Sequence, residues 1–313
     1  MNLNERALRL VEALLARAAE RRVAGCRIAG GGRVVDCGVE ARGGLLAGLD
    51  LARICLADLA AVTLVPGEVA GRPVALVQVV TDHPATACLG SQYAGWHVNA
   101  GKFFAMGSGP MRAVRADEPI LEKLQIREDA PAVDGVLEGR ALPGADVVAS
   151  VAEACRVGPE AVTLLVAPTA SLAGGVQVVA RSVETALHKL AEVGFDLTRL
   201  VSAQGTAPLP PVAETDAAAI GRTNDAILYG ARVILSVTGD DDSLREIGHA
   251  VPSSSSRDYG EPFAAIFARY NHDFYAVDPH LFSPAEVVFQ NVETGRVHVF
   301  GQMAPDVLVR SFF

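Results

Sequence analysis

Three observations predict an α/β protein with mixed sheets (α+β elements included), folded as two domains. Helical and extended patterns alternate from the N-terminus onward, several strands look joined as hairpins, and 313 residues suffice for two cores. The first element is a helix over residues 4–20, with an apolar stripe at Ala7, Leu8, Val11, Leu14, Leu15 and Ala18 and arginines gathering at its C-terminal end, where they suit the helix dipole. "RVVDCGV" then reads as a strand and "GLLAGLDLARICLADLA" as a buried helix, and "AVTLVPGEVAGRPVALVQVVTD" as two strands joined by a Pro/Gly region. "GADVVASVAEACRVG" is helical and "EAVTLLVAPT" a strand, followed by a glycine-bearing segment and a helix over 182–193. The strand "RLVSAQG", a proline-rich connection, a helix over 216–229 and the strand "RVILSVTG" come next, and "EVVFQNVETGRVHVF" closes the chain as a hairpin turning at "ETG". The charged, proline-bearing stretch near 117–145 is the best boundary composition offers, which divides the chain into domains 1–140 and 141–313.

Bulk composition removes several function classes. The formal charge is −9 and the longest basic run is Arg21–Arg22, so the chain carries no electrostatic footprint for nucleic acid. Its five cysteines, Cys26, Cys37, Cys55, Cys88 and Cys155, are widely spaced, with no CxxC and no paired histidines, which argues against a disulfide framework and a zinc site. No run of about 18 uncharged apolar residues occurs and the N-terminus is amphipathic, so neither a membrane span nor a signal peptide is expected. The expectation is a soluble cytoplasmic protein.

Chemistry is expected in four segments rich in glycine, proline and small polar residues: "GKFFAMGSGPMRA", "APTASLAGG", "IGRTNDAILYG" and "VPSSSSRDYGEPF". Such segments let a backbone approach a ligand closely, although any one of them is equally well a set of tight turns. None matches GxxxxGK[ST], nor GxGxxG between a strand and a helix, so no nucleotide is specifically indicated. Lys102 is either an anion-holding cation or a surface lysine. Trp96 is either a stacking platform or core, and core is the commoner use of a single aromatic. The acidic run Asp240–Asp242 is more simply a solvated loop than a cation site, and Cys88 has no base beside it in sequence.

The helix over 182–193 opens with Ser182 as an expected N-cap, Arg181 just before it and Glu184 in its first turn. Three residues apart, the two charged side chains can meet. Both the helix dipole and the arginine favour an ionised carboxylate, able to accept a proton from water. The same spacing describes an ordinary first-turn glutamate with a surface partner, and on spacing alone that description is the commoner one. His188, four residues beyond Glu184, is placed to bond to it or to stay solvated.

The segments "YAGWHVNAGKFFAMGSGPMRA", "APTASLAGGVQVVARSVETALHKL", "GTAPLPPVAETDAAAIGRTNDAILYG", "VPSSSSRDYGEPFAAIF" and "HDFYAVDPHLFSPAEVVFQNVETG", with "RVVDCGVEARGG" near the N-terminus, strongly resemble the methenyltetrahydromethanopterin cyclohydrolases along nearly the whole chain. The resemblance implies hydrolysis of a cyclic amidine C–N bond, converting the N5,N10-methenyl to the N5-formyl form of a tetrahydromethanopterin, or the reverse, with no metal or redox cofactor. It implies a homo-oligomer, a trimer, whose two-domain subunits hold the pterin in a cleft between the domains. The family's catalytic RxxE falls on Arg181 and Glu184, reversing the preference that spacing gave, and Lys102 is expected near the reacting centre. Loop character and resemblance together place Ser108, Gly109, Ser171, Gly174, Gly175, Arg222, Thr223 and Asn224 around the pterin. The alanine-, arginine- and valine-rich composition suggests a high-GC bacterium and a part in formaldehyde oxidation. Two other functions remain: a formyl- or phosphoryl-transferring enzyme using the glycine segments as an anion cradle, and a catalytically silent pterin-binding protein.

Overall fold

The computed structural model describes residues 2–271, 273 and 276–313, so His272, Phe274 and Tyr275 of the "HDFYAVDPHLF" segment lie outside the described residues. Two compact units emerge, each assembled from two stretches of chain: Met1–Ala60 with Thr86–Gln177, and Ala61–Ala85 with Val178–Phe313. The stretch 117–145 belongs to the first unit, where it supplies a short helix and a sheet strand.

The first unit is built on a six-stranded sheet in the order β1(Ala24–Arg27), β2(Arg33–Asp36), β8(Val162–Ala167), β7(Val133–Glu138), β6(Phe103–Ser108), β5(Trp96–Ala100). Strands β2, β8 and β7 run parallel; the other pairings are antiparallel. Alternate residues of the parallel strands feed two separate cores. Val34, Leu164, Val166 and Leu137 pack under α6(Ala145–Cys155), through Val147, Val148, Val151 and Cys155. Val35, Leu165, Ala167 and Val136 pack under α1(Leu3–Ala16) and α3(Leu45–Cys55), through Ala7, Val11, Leu14, Leu51 and Ile54. Covered on both faces, β8 is buried throughout, which is why "VTLLVA" is apolar at every position but Thr163 and carries no alternation. The N-terminal helix is interrupted at Arg17 and resumes as the short α2(Ala18–Arg21), ended by Arg22 in the left-handed region (φ 56°). Two further short helices, α4(Met111–Arg115) and α5(Pro119–Lys123), follow the β5–β6 hairpin. Trp96 is buried in the α6-side core with the Arg115 guanidinium 4.3 Å from its ring centroid, so it serves packing.

The second unit carries the other six-stranded sheet: β12(Val297–Gly301), β11(Glu286–Asn291), β10(Arg232–Val237), β9(Leu200–Pro208), β4(Arg72–Thr81), β3(Ala61–Val69). Only β10 and β11 are parallel. The β3–β4 hairpin turns at Ala70–Gly71, leaving Pro66 and Gly67 inside β3. One row of paired residues, Phe300, Val287, Val233, Gly205, Val79 and Val62, is buried, with α8(Ser182–Glu192) over β9 and β10 and α10(Asp241–Gly248) over β11 and β12. The neighbouring row, Val299, Val288, Ile234, Gln204, Val80 and Ala61, points the other way, and Val80 and Val299 are 42% and 58% exposed.

Around this sheet, helix α9(Asp216–Leu228) is joined to α11(Phe263–Arg269) and α12(Pro305–Phe312) by one buried carboxyl. Asp225 accepts from the Phe263 amide at 2.8 Å and from Ser311 Oγ at 2.6 Å, and burial pushes its pKa up to about 7. The acidic run is used structurally: Asp240 caps α10 through the Ser243 amide, and Asp241 bonds Asn291, Thr294 and His298 across the β11–β12 turn.

Candidate active site

Helix α8 begins where α7(Leu172–Val179) has ended, and Arg181, not Ser182, occupies its N-cap position, with φ −87° and ψ 7°. Ser182 is the first helical residue, and its hydroxyl lies against β9. A Cβ on Gly205 of β9 would come 2.5 Å from Ser182 Oγ and 2.9 Å from Val183 Cγ2. Glycine at 205 is therefore what lets the first turn of α8 lie on β9. The helix buries Val183, Ala186, Leu187 and Leu190 completely, matching the apolar stripe of the sequence.

This seating leaves Arg181 and Glu184 in the first turn. Their side chains are each 8% exposed, and Arg181 Nη1 lies 3.9 Å from Glu184 Oε2. Thr185 fixes the turn from the other side, its amide and its Oγ1 both donating to the Arg181 carbonyl at 2.8 Å. The arrangement sets a carboxylate beside a guanidinium, out of bulk water, in the first turn of a helix. His188 lies 4.0 Å from Glu192.

The other expected site residues occupy varied places. Within the first unit, Lys102 is exposed in the turn of the β5–β6 hairpin, beside Gly101 (φ 57°). Ser108 and Gly109 sit at the far end of β6 from Lys102: the buried Ser108 hydroxyl bonds the Val136 carbonyl, and Gly109 (φ 91°) lies against the β7 backbone. Ser171, Gly174 and Gly175 cluster at the start of α7, beyond the C-terminal end of β8. Ser171 Oγ donates to the Pro168 carbonyl at 2.7 Å and accepts from the Gly174 amide at 3.0 Å. A Cβ on Gly174 would stand 2.0 Å from the Pro168 carbonyl, so both glycines belong to a tightly wound helix start where the sequence suggested an open loop. Thr169, in the same turn, donates to Glu138 at the end of β7.

In the second unit, Arg222, Thr223 and Asn224 lie on α9, where Thr223 Oγ1 bonds the Ala219 carbonyl and Asn224 Nδ2 the Ile220 carbonyl, while Arg222 spans to the Ser311 and Pro211 carbonyls. The serine run is loop lacing as well: Ser253 Oγ donates to the Leu228 carbonyl and Ser256 Oγ to Asp278. Two residues with structural consequence escaped the sequence reading, Gly205 and Lys189. Lys189 borders the apolar arc of α8, three residues from Ala186, and that lone cation beside a buried arc was the available signal. Among the described residues no group of three or more His, Cys, Asp or Glu is arranged to hold a metal ion, and no helix is long and apolar enough to cross a membrane.

Two mixed α/β units, one of which holds a guanidinium–carboxylate pair at a helix start, define a two-unit α/β protein. The family model described as Cyclohydrolase (MCH) matches residues 2–312, and the chain belongs to that family. It is 52% identical to the methenyltetrahydromethanopterin cyclohydrolase of Rhodopirellula baltica, over 90% of this chain and 86% of that protein. It is 51% identical to the protein of that name from Methylobacterium sp. (strain 4-46), over 99% and 97% of the two chains. The likeness extends to the protein of the same name from Methanosphaerula palustris, 41% identical over 100% and 99%.

Proposed function

We propose that this chain is a cyclohydrolase that adds water to the N5,N10-methenyl group of a tetrahydromethanopterin derivative and releases the N5-formyl form, reversibly. The buried Arg181–Glu184 pair, in a chain so similar to proteins of that name, carries the reading. The methenyl carbon is an amidinium-like cation and already electrophilic, so the step needs a positioned water and a base. Glu184 accepts a proton from water as its oxygen bonds to the methenyl carbon, which gives a neutral carbinolamine. The protonated Glu184 then returns that proton to N10 as the C–N10 bond breaks and the remaining hydroxyl proton is lost to solvent, leaving a formyl group on N5. Arg181 holds the carboxylate in place, and the charge of Glu184 favours the cationic substrate. Neither metal nor redox cofactor enters this step. The proposed setting is the cytoplasm of a one-carbon metabolism, with formaldehyde oxidation as its context.

The proposal includes a homo-oligomer, a trimer by family resemblance. On the outward face of the second unit's sheet, exposed Val297 and Val299 of the edge strand β12 beside Val288 form apolar surface available to a second copy.

The deciding experiment follows the methenyl absorbance of the substrate in chelator-treated buffer with the wild type and with Glu184→Gln. Glutamine keeps the size of the side chain and cannot take the proton, so wild-type decay and a loss of about a hundredfold or more in the variant are expected. Equal decay in both overturns the role of Glu184. A wild type that binds the pterin without turning it over makes the chain a silent binder, and dependence on a nucleotide and Mg²⁺ makes it a transferase.

A further inference from the structure

We propose that Lys189 is a positioning residue for the Arg181–Glu184 pair, locking α8 to the two loops around Ser255 and His280 and so fixing where the first turn of the helix stands. Lys189 is 1% exposed, and its Nζ donates to the His280 carbonyl at 2.7 Å and to Ser255 Oγ at 3.2 Å. Those loops are themselves one piece. Asp278 accepts from Ser256 Oγ at 2.8 Å, from the Arg257 amide at 3.2 Å and from the His280 amide at 3.1 Å, and Asp258 accepts from the Asp278 amide at 3.0 Å. Asp258 and Asp278 are 6% and 9% exposed, so this lacing is sheltered from water.

The need for such a lock follows from the rest of the helix. The sheet-facing side of α8 is Val183, Ala186, Leu187 and Leu190, and apolar contact is non-directional, so it tolerates small rotations and slides. A buried ammonium with two acceptors does not. Glu184 is five residues away, on the order of 7.5 Å along the axis at a rise of about 1.5 Å per residue, so an axial slip at Lys189 is delivered whole to the carboxylate. Burial holds the Lys189 pKa down at about 8, with the Asp278 carboxylate pulling the other way, so the charge is kept there at a cost that an apolar residue of the same length would not incur. A buried ammonium bonded to both loops fixes the helix bearing the base directionally, which apolar packing does not do.

The proposal rests on the cyclohydrolase reading for its kinetic arm only. Lys189→Met keeps the length and removes the donors. Its unfolding midpoint is expected to fall modestly, since the His280 carbonyl and the Ser255 hydroxyl lose their donor. Its kcat is expected to fall on the order of tenfold to a hundredfold with KM moving less than about threefold, because misplacement of a catalytic group on the order of 1 Å has effects of that size. Amide hydrogen exchange in residues 253–258 and 278–281 and in the first turn of α8 should quicken in the same variant. A merely structural lysine would lower the midpoint as well but leave kcat of the folded fraction alone. If Lys189→Met fails to fold, Ser255→Ala decides: a fall in kcat at an unchanged midpoint supports the proposal and wild-type kcat overturns it. Should the wild type itself not turn over, the cyclohydrolase reading fails separately, and unchanged exchange in folded Lys189→Met overturns the positioning role on its own.

Discussion

In the first unit every residue of β8 is buried, whereas in the second unit β12 alternates and leaves Val297 and Val299 56% and 58% exposed. Both strands belong to six-stranded mixed sheets, so strand number does not explain the difference. Cover does. The parallel trio of the first unit is roofed by α6 on one face and by α1 and α3 on the other, and the mainly antiparallel sheet of the second is lined by helices on the face of Gly205 and Phe300 while its other face leaves Val80, Gln204 and Val299 exposed. The Arg181–Glu184 pair sits on a helix of the one-sided sheet, and its seat is a glycine, not a large apolar residue. A two-sided sheet is fixed by packing from both directions; the helix of a one-sided sheet depends more on close approach and directional bonds.

The largest effect that tests this contrast is expected in β8. Leu164 is 0% exposed in the α6-side core, and Leu164→Ala should cost about 2–5 kcal/mol by urea unfolding, with little room for the covered sheet to collapse around the gap. A cost under about 1 kcal/mol would mean that the two-sided sheet is not held by packing in the way its burial indicates.

A smaller effect, graded with pH, is expected from Asp225 in the second unit. Its carboxyl is raised from an ordinary 3.8 to about 7 by burial, against the bonds from Ser311 and Phe263 and the charge of Arg310, which favour the ionised form. Between those two values the folded chain holds a proton that the unfolded chain has released, so stability falls as pH rises through that window and levels off above about 7. Asp225→Asn cannot titrate, and its urea midpoint should change less than that of the wild type between pH 4.5 and 8. Parallel pH profiles would show that the α9–α11–α12 junction does not carry this proton.

Much of this architecture was legible because periodicity reports cover. "EAVTLLVAPT" announced a buried strand, the stripe from Val183 to Leu190 announced α8, and "ETG" announced the last hairpin turn. Strand β7 was hidden because its "VDGVLE" carries an aspartate and lies in a charged stretch, yet Asp134 is fully buried with neither carboxylate oxygen hydrogen-bonded, and burial first, then Glu128, pushes its pKa well up. The RxxE pair was visible as spacing and became a candidate only through resemblance, since charge at a helix start has commoner uses. Its supports were less visible. Gly205 matters through what a Cβ would strike, and Lys189 through partners 66 and 91 residues away, and neither relation is written in local sequence. Gly174 and Gly175 read as loop and fold as helix, because small residues next to apolar ones serve both states and tertiary packing chooses, whereas the Arg222–Asn224 trio lies within the helix expected over 216–229.

The smallest effect on stability is expected on the outward face of the second unit's sheet, at Val299. Its side chain is 58% exposed beside Val288, on the edge strand, so in a single chain a lysine there loses little apolar burial and keeps its ammonium in water. Val299→Lys should therefore shift the stability of the isolated chain by no more than about 0.5 kcal/mol, the usual range for surface substitutions. If the same face is covered by a second copy, the lysine meets apolar surface and its charge loses solvent, a penalty paid only on association. Sedimentation would then show a smaller species for Val299→Lys at a concentration where the wild type is assembled, with unchanged circular dichroism. Equal masses would move the interface off this face and leave the one-sided sheet as ordinary solvated surface.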